Sequence, residues 1–425
     1  MGDLDDGRTT QWQLNNGLQV ICLPLAYVDY VAVDMLCPGG VIHDSPGKAG
    51  SALLLAELLS RGAGELSSEE LLTEFDNKGI RHGEAASSLT TTLRSQFLPE
   101  HCKKALELMK VMITSPTFPE AAVESVKSLF LHEIRSLKES PSRWAMLELS
   151  RRYFPQPFNK SPLGEESDIL SLTAEELKEQ WGNRFGPDGA ILSIAGKFDL
   201  TEMRDLISGE FSDWKGKCET MPAVTSFPKR EFFYLPFEGS QQQLVLRYSA
   251  PPFGSELYYA GKVFSQILSG GMFGRLFIEV REKRGLCYSV FAQHAGRPEY
   301  GHLTVYAGTT PERVHETYSV IQDIMADPLK DLSDAELDRA KNNLITQMIL
   351  GEESTSSRAR SNASDWLLVK RIRSMQELQD GIQQVNLEAL NQLLREYPLA
   401  NPMALTLGAK NFGTWTQIEE GSSYD

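Results

Sequence analysis

The amino-acid sequence predicts an α+β protein built from two similar units of roughly 210 residues, each an antiparallel-rich sheet covered by helices. Three observations lead to this prediction. Segments of the first half recur in the second half in the same order, both halves show the same succession of strand and helix patterns, and a polar, proline-containing stretch separates them.

The recurrence is seen in three pairs of segments. Glu57–Gly62 resembles Gln266–Gly271, the helix start at 99–100 resembles 311–312, and Leu172–Leu177 resembles Val385–Leu390. The members of each pair are separated by roughly 210 residues, and such a constant spacing indicates a tandem duplication.

The stretch between the halves, DWKGKCETMPAVTSFPKR (213–230), has neither helical nor strand periodicity and is typical of an interdomain linker. We therefore predict a first unit at 1–214, a linker at 215–229 and a second unit at 230–425.

Each half then follows the same order of elements: two strands, a helix with a continuous apolar face, a further strand, long amphipathic helices and a late strand. The predicted strands are 18–24, 31–37, 90–96 and 190–195, then 232–235, 243–249, 302–307 and 404–407. The predicted helices include 49–60 and 119–138, then 258–268 and 333–350.

Composition excludes several classes of protein. The formal net charge of −15 makes nucleic acid and anionic lipid poor partners, because like charges repel. No apolar run approaches the ~20 residues needed to span a bilayer. The five cysteines are odd in number and form no Cys-x-x-Cys pair, so we expect free thiols and a cytoplasmic protein.

Motifs of known catalytic centres are missing from the sequence. No two of the seven histidines lie three to five residues apart, so no helix carries a pair of imidazole metal ligands. A nucleophile elbow and a phosphate-binding Gly-Lys-Ser/Thr loop are also absent. The residues alone therefore predict a duplicated globular protein without a visible catalytic centre.

Four segments nevertheless resemble the pitrilysin or insulinase-like zinc peptidases, the group that includes mitochondrial processing peptidase. They are LCPGGVIHDSPGKAGSALLLAELLSRG (36–62), PLGEESDILSLTAEELKEQW (162–181), ILSIAGKFD (191–199) and GGMFGRLFIEVREKRGLCYSVFA (270–292). The resemblance spans most of the chain in order, and it implies a clamshell peptidase in which four such α+β units enclose the substrate.

The chain departs from this family at the metal site. The family carries His-x-x-Glu-His on the helix after the second strand, where two imidazoles hold zinc and the Glu is the catalytic base. Alignment on Arg61-Gly62 places Leu53 and Glu57 on the two histidines and Ala56 on the base. The downstream Glu ligand corresponds to Glu133. Two carboxylates without imidazoles hold zinc poorly, so we expect no metal or other cofactor in this chain. We interpret the Leu53–Leu55 run as core.

A second family site is retained. The resemblance implies that Arg281 and Tyr288, seven residues apart, contact the substrate beside the zinc. Gly285 is expected to end the helix that carries Arg281 and to lead into a strand near Tyr288, so that the two side chains converge. An Arg can hold a carbonyl oxygen, and a Tyr hydroxyl can stabilise an oxyanion. A solvated helix-end Arg and a half-buried strand Tyr are the alternative interpretation. For Arg275 and Arg284 we expect plain surface charge.

Family members that lost the zinc ligands but kept this pair imply a leading hypothesis. The chain would be the non-catalytic subunit of a heterodimeric zinc peptidase, with a zinc-bearing sister subunit as partner and an unfolded peptide as substrate. Two alternatives stay open: a catalytically dead homodimer that binds peptides or acts as a scaffold, and an active single-chain peptidase with an unorthodox metal site.

Overall fold

The α+β prediction is confirmed by a computed structural model, which describes residues 8–224 and 226–419. In chain order the strands are β1 Thr10–Gln13, β2 Gln19–Pro24, β3 Val31–Pro38, β4 Gly62–Ala63, β5 Leu66–Ser67, β6 Arg81–Ala86, β7 Thr90–Phe97, β8 Ile191–Gly196, β9 Phe232–Pro236, β10 Gln242–Ala250, β11 Cys287–Gly296, β12 Gly301–Thr309, β13 Met403–Gly408 and β14 Thr416–Gln417.

Helices cover the sheets in both halves of the chain. They are α1 Ser51–Leu58, α2 Ser68–Asp76, α3 Cys102–Thr114, α4 Glu120–Ser136, α5 Pro141–Tyr153, α6 Glu166–Ser171, α7 Ala174–Arg184, α8 Leu200–Phe211, α9 Tyr258–Ser269, α10 Val314–Ala326, α11 Asp334–Gly351, α12 Thr355–Val369, α13 Met375–Gln383 and α14 Leu387–Glu396.

The duplication is visible in the strand order of the two large sheets. Within the described residues, the first six-stranded sheet has the order β1-β2-β8-β3-β7-β6 and the second has the order β11-β12-β10-β13-β9-β14. Read from the opposite end, the second sheet repeats five positions of the first, and the two sheets differ only in their small outer strands. The pairs β2–β8 and β9–β13 are both parallel, whereas β3 and β10 pair antiparallel with both of their neighbours.

Two buried lysines repeat the same contact in both halves. Lys127 on α4 donates to the backbone oxygen of Leu170, and Lys341 on α11 donates to that of Gln383. Each acceptor lies at the end of a short helix, where carbonyl oxygens lack partners within the helix. Both units therefore use a buried lysine to satisfy a carbonyl oxygen at the end of a short helix.

The chain divides into two compact units that exchange a helix. The first unit comprises residues 1–136, 160–222 and 351–372, and the second comprises 137–159, 223–350 and 373–425. Helix α5 therefore belongs to the second unit, where Trp144 and Leu149 are buried against Phe233 and Leu405. The predicted boundaries at 1–214, 215–229 and 230–425 did not anticipate this exchange.

Helix α12 makes the reciprocal move into the first unit. Its Ala363 packs with Ile21, Leu36 and Ile191 of the first sheet, and Trp366 lies partly buried beside them. The reason is physical: the apolar residues of β2, β3 and β8 on this face need a cover, and the amphipathic helix that covers them lies late in the chain.

Candidate functional site

The helix at the degenerate zinc motif, α1, is fixed by a buried carboxylate. Asp44 accepts hydrogen bonds from the backbone nitrogens of Gly50 (2.7 Å) and Ala52 (3.0 Å) at the start of the helix. It also accepts from the Ser51 hydroxyl (2.8 Å) and from Arg184 Nη1 (2.8 Å). These contacts satisfy helix N–H groups that would otherwise lack partners. The start of α1 is therefore fixed by buried hydrogen bonds to the Asp44 carboxylate.

The side chains at the three replaced motif positions pack or pair locally. Leu53 is only 8% exposed and contacts Val41 and Phe130, and Ala56 is buried. Leu54 and Leu55 belong to the main core of the unit, as expected. Glu57 is half-buried and forms an ion pair with Arg61 one turn later. The side chains at the aligned motif positions are thus engaged in apolar contacts and an internal ion pair.

The fourth motif position, Glu133, is half-buried on α4, which packs against α1. Val126, two turns earlier, is buried in the core, and His132 is exposed. Across the described residues, no group of three His, Cys, Asp or Glu side chains is placed to hold a metal ion. The residues of this unit therefore do not fit a zinc ion.

The second unit brings Arg281 and Tyr288 together. Arg281 lies at the end of a π-helical segment, Phe277–Glu282, and its guanidinium carbon is 5.6 Å from the centre of the Tyr288 ring. The same guanidinium is 5.0 Å from the centre of the Phe277 ring. Cation–π contact with two rings holds the Arg side chain in place while leaving it exposed.

The turn between these residues follows from Gly285, as expected. Gly285 has φ +58°, the left-handed conformation that favours glycine, and Leu286 N donates to Val280 O across the helix end. Arg313 Nη1 donates to Gly285 O and thereby ties the turn to the helix start near α10. The helix-to-strand connection is therefore held by hydrogen bonds on both sides of the turn.

Tyr288 is exposed because the strand bulges at this residue. In the pairing of β11 with β12, Cys287 faces Thr309 and Ser289 faces Gly308, so Tyr288 is an extra residue without a partner. A bulge redirects a side chain, and the Tyr288 side chain is 83% exposed. The half-buried strand Tyr of the alternative interpretation is wrong.

Two other arginines of this segment differ from one another. Arg284 pairs with Glu279 at the surface, as expected, and hydrogen bonds from Lys283 and then from Arg284 lower the pKa of Glu279. Arg275 is not plain surface charge. It forms a two-pronged ion pair with Glu336 (2.7 and 3.0 Å) and donates to Pro328 O and Lys330 O. Sequence reasoning missed this clamp because its acceptors lie more than 50 residues away.

Family models and relatives agree on the kind of protein this chain resembles. The model described as Insulinase (Peptidase family M16) matches residues 20–164, and the model described as Peptidase M16 inactive domain matches 171–344. An uncharacterized zinc protease, YmxG, of Bacillus subtilis is 26% identical over 91% of this chain and 95% of its own. An uncharacterized zinc protease of Rickettsia bellii is 22% identical over 94% of this chain and 97% of its own.

Solved structures share the fold. A peptidase M16 inactive domain from Pseudomonas fluorescens has a TM-score of 0.86 at 21% identity, over 97% of this chain and 99% of its own. A protease from Helicobacter pylori has a TM-score of 0.83 at 21% identity, over 94% of this chain and 99% of its own. The periplasmic protease PqqL from Escherichia coli has a TM-score of 0.80 at 17% identity, and this chain covers 46% of it.

Proposed function

Because the chain belongs to the insulinase family, peptidase family M16, and its own residues do not fit zinc, we propose that it is the non-catalytic subunit of a heterodimeric zinc metallopeptidase. In this proposal it encloses a peptide substrate together with a zinc-bearing sister subunit. It supplies Arg281 and Tyr288 to the sister's active site.

The observation that carries the proposal is the exposed Arg281–Tyr288 pair. A tyrosine that served only the core of the second unit would be buried, yet Tyr288 lies on a bulge with its ring exposed and in cation–π contact with Arg281. Strand bulges and π-helical turns are over-represented next to active sites, and here the π-helical segment ends at Glu282, six residues before the bulge at Tyr288.

The chemistry available to this pair is substrate holding and oxyanion stabilisation. The Arg281 guanidinium offers a permanent charge and several N–H donors for a peptide carbonyl oxygen. The Tyr288 hydroxyl can donate to the same oxygen as it gains negative charge in a tetrahedral intermediate. Contact with the Tyr288 ring orients the guanidinium before the substrate arrives. The zinc and the catalytic base belong to the sister subunit, because Leu53, Ala56 and Glu57 stand at those positions here.

A strand at the edge of the first sheet offers a way to hold an extended peptide. β6 is one of the two outer strands of this sheet, and Ala86 at its end contacts the cluster of Val41, Ala52 and Leu53 beside α1. An extended peptide can add to such an edge through backbone hydrogen bonds, which gives broad sequence specificity. The net charge of −15 favours basic peptides wherever acidic residues face the substrate.

We also propose that the protein works in the cytoplasm. Its five cysteines are unpaired and four of them are buried, which supports a reducing compartment. Among the described residues, no helix is long and apolar enough to cross a membrane.

The test is hydrolysis of an unstructured peptide by this chain mixed with the sister subunit. We expect Tyr288→Phe to lower kcat by ~10²–10³, the usual effect of losing one oxyanion donor, without changing assembly. Arg281→Ala should lower kcat and raise KM, since it removes a substrate contact. Arg284→Ala is the matched control, because Arg284 is also exposed but pairs with Glu279.

Full activity of both the Tyr288→Phe and Arg281→Ala heterodimers would contradict the proposal. Assembly of the purified chain with itself instead of a sister subunit would favour a homodimeric peptide-binding or scaffold protein. Stoichiometric zinc together with peptide cleavage by the chain alone would favour the unorthodox single-chain peptidase.

A further inference from the structure

Two of the five cysteines lie in contact inside the first unit, although they are far apart in the sequence. Cys37 is near the end of β3 and wholly buried, and Cys218 lies in the coil after α8 and is 4% exposed. Their side chains are hydrogen-bonded to one another. Because Cys218 Sγ donates its own proton to Gly186 O (3.1 Å), Cys37 is the donor to Cys218. Neither thiol has a part in the proposed function.

The backbone explains why these two side chains meet. Cys218 N donates to Asp188 O (2.8 Å), and a Cβ placed on Gly189 would lie 3.2 Å from the Cβ of Cys218. β3 pairs antiparallel with β8 as far as Ile191, and Cys37 is the next residue of β3. Both cysteines are therefore anchored beside the same short stretch of chain, the residues that lead into β8.

The segment that carries Cys218 has few contacts of its own. It lies outside every described helix and strand, and residues 215–217 before the cysteine and Thr220 after it are exposed. At Cys218 itself, hydrogen bonds to the backbone oxygens of Asp188 and Gly186 hold the segment in place. Because so few hydrogen bonds must break, a local opening can expose the Cys218 thiol while β3 stays folded.

Cys218 is also the more reactive of the two thiols. The hydrogen bond from Cys37 lowers the pKa of Cys218 against the effect of burial, whereas the same contact together with burial raises the pKa of Cys37. Burial raises the pKa of the other three thiols, Cys22, Cys102 and Cys287. Since the thiolate is the form that attacks a disulfide, Cys218 is the thiol expected to react first.

We propose that Cys37 and Cys218 form a reversible disulfide when the protein meets a small-molecule disulfide such as oxidised glutathione. The Cys218 thiolate attacks one glutathione sulfur, forms a mixed disulfide and releases one glutathione. The Cys37 thiol then loses its proton and attacks Cys218 Sγ, which releases the second glutathione. Two protein thiols are oxidised to one disulfide, one glutathione disulfide is reduced to two thiols, and both protons pass to the released glutathione.

The bond would fix one connection between the two units, which is a role separate from the proposed function. The chain leaves the first unit after Pro222, shortly after Cys218. A disulfide to Cys37 would tie this part of the chain covalently to β3, a strand inside the first sheet. Oxidation would therefore suppress the local opening of the segment around Cys218.

The experiment maps the disulfide in the folded, full-length chain. The protein is treated with oxidised glutathione, quenched with acid, alkylated in denaturant and digested without reduction at Asp and Lys residues. Asp29 and Asp34 separate Cys22 from Cys37, so the two cysteines fall on different peptides. We expect mass spectrometry to show one cross-linked pair that contains Cys37 and Cys218. The number of free thiols should fall from five to three, and dithiothreitol should restore all five.

Three variants test the order of the steps. Cys37→Ser should keep one glutathione on Cys218, because the resolving thiol is missing. Cys218→Ser should form no cross-link and should leave Cys37 free. Cys102→Ser is the matched control, since Cys102 is only half-buried and has no part in the pair, and it should form the same cross-link as the wild-type chain.

Trypsin measures the consequence for the connection. Cleavage after the exposed Lys215 and Lys217 should be several-fold slower in the oxidised wild-type chain than in the reduced one. The same treatment of Cys218→Ser should leave the cleavage rate unchanged. Equal rates in the oxidised and reduced wild-type chains would contradict the role in fixing the connection.

Four results of the mapping would overturn the disulfide itself. They are five free thiols after oxidation, a link between other cysteines, a link between two chains, and glutathione that stays on Cys218 of the wild-type chain. The wild-type mapping is decisive by itself, so the inference can be refuted even if Cys37→Ser, which places a hydroxyl in the core, does not fold.

Discussion

At the scale of single residues, the side chains of α1 at the aligned motif positions stabilise the fold and offer no metal ligands in the family's pattern. Leu53 and Ala56 now contribute apolar contact where a ligand and a base would need space and polarity, and Glu57 is occupied by Arg61. Burying one leucine side chain stabilises a protein by roughly 1.5–3 kcal/mol, so the present residues favour the fold. Substitutions that restore the zinc motif are therefore expected to lower the free energy of unfolding, whether or not they restore metal binding.

This leads to a prediction for the wild-type chain and the triple variant Leu53→His, Ala56→Glu, Glu57→His. The wild-type chain should show no tight zinc binding in equilibrium metal analysis. The triple variant should bind some zinc if Glu133 faces the restored ligands. Its free energy of unfolding, measured with urea, should be lower by about 2–4 kcal/mol because polar groups enter the core. Glu57→His alone is the control for the half-buried position. A wild-type zinc affinity near nanomolar would contradict the prediction.

A second residue, His294, makes the second unit sensitive to acid. Burial and, to a smaller extent, the charge of Lys262 lower the pKa of His294 to about 4, while its Nε2 contacts Pro251 O. The unfolded chain takes up a proton near pH 6.5, whereas the folded one resists it. Stability should therefore be fully present above pH 6.5 and should fall as the pH drops toward 4, by about 3 kcal/mol from this group.

Urea unfolding at several pH values between 7 and 4.5 measures this effect. His294→Gln keeps a donor for Pro251 but cannot titrate, so its stability should fall less steeply with acid than that of the wild-type chain. His302, whose pKa is also lowered by burial, should supply part of the remaining slope. Identical slopes for the wild-type chain and His294→Gln would contradict the assignment.

At the scale of elements, the start of α1 depends on one carboxylate that is not part of the helix. Asp44 and Arg184 are both buried, and the carboxylate also accepts from two backbone nitrogens of the helix start. Asp44→Ala would remove the charge partner of the buried Arg184 guanidinium and the acceptor of two N–H groups at the helix start. We expect a loss of about 3–5 kcal/mol in the free energy of unfolding, measured by urea denaturation. Asp29→Ala, which removes an exposed ion pair with Lys197, should leave the urea midpoint unchanged.

The elements also show what a sequence can predict. Strands such as β2, β3 and β10 were predicted because their apolar runs are continuous, and α4 and α11 because their apolar periodicity is long. β6, with the sequence RHGEAA at a sheet edge, carries too little apolar pattern to be detected. The pairing of Arg281 with Tyr288 was expected from the family resemblance, with Gly285 supplying the turn between them. The bulge at Tyr288 depends on the register with β12, which no local pattern encodes.

At the scale of the whole molecule, each of the two duplicated halves gives one helix to the unit formed mainly by the other half. α5 comes from the first half of the chain and covers part of the second sheet, and α12 comes from the second half and covers part of the first. Sequence repeats reveal that two copies exist, but they do not reveal which copy a helix packs against. That choice depends on tertiary contacts of Trp144, Leu149 and Ala363, whose apolar character is compatible with either sheet.

The exchange predicts how the chain responds to being cut. A specific protease site inserted after Pro222 lies between the units and outside every described helix and strand. After cleavage, residues 1–222 still supply α5 to the second unit, and residues 223–425 still supply α12 to the first. We expect the two pieces to elute together in size-exclusion chromatography without denaturant and to separate only in urea. Each piece expressed alone would leave apolar sheet surface uncovered, so it should bind a hydrophobic dye and lack a cooperative unfolding transition. Cooperative unfolding of either piece alone, or its separation under native conditions, would show that the exchanged helices are dispensable and that each half folds within its own sequence.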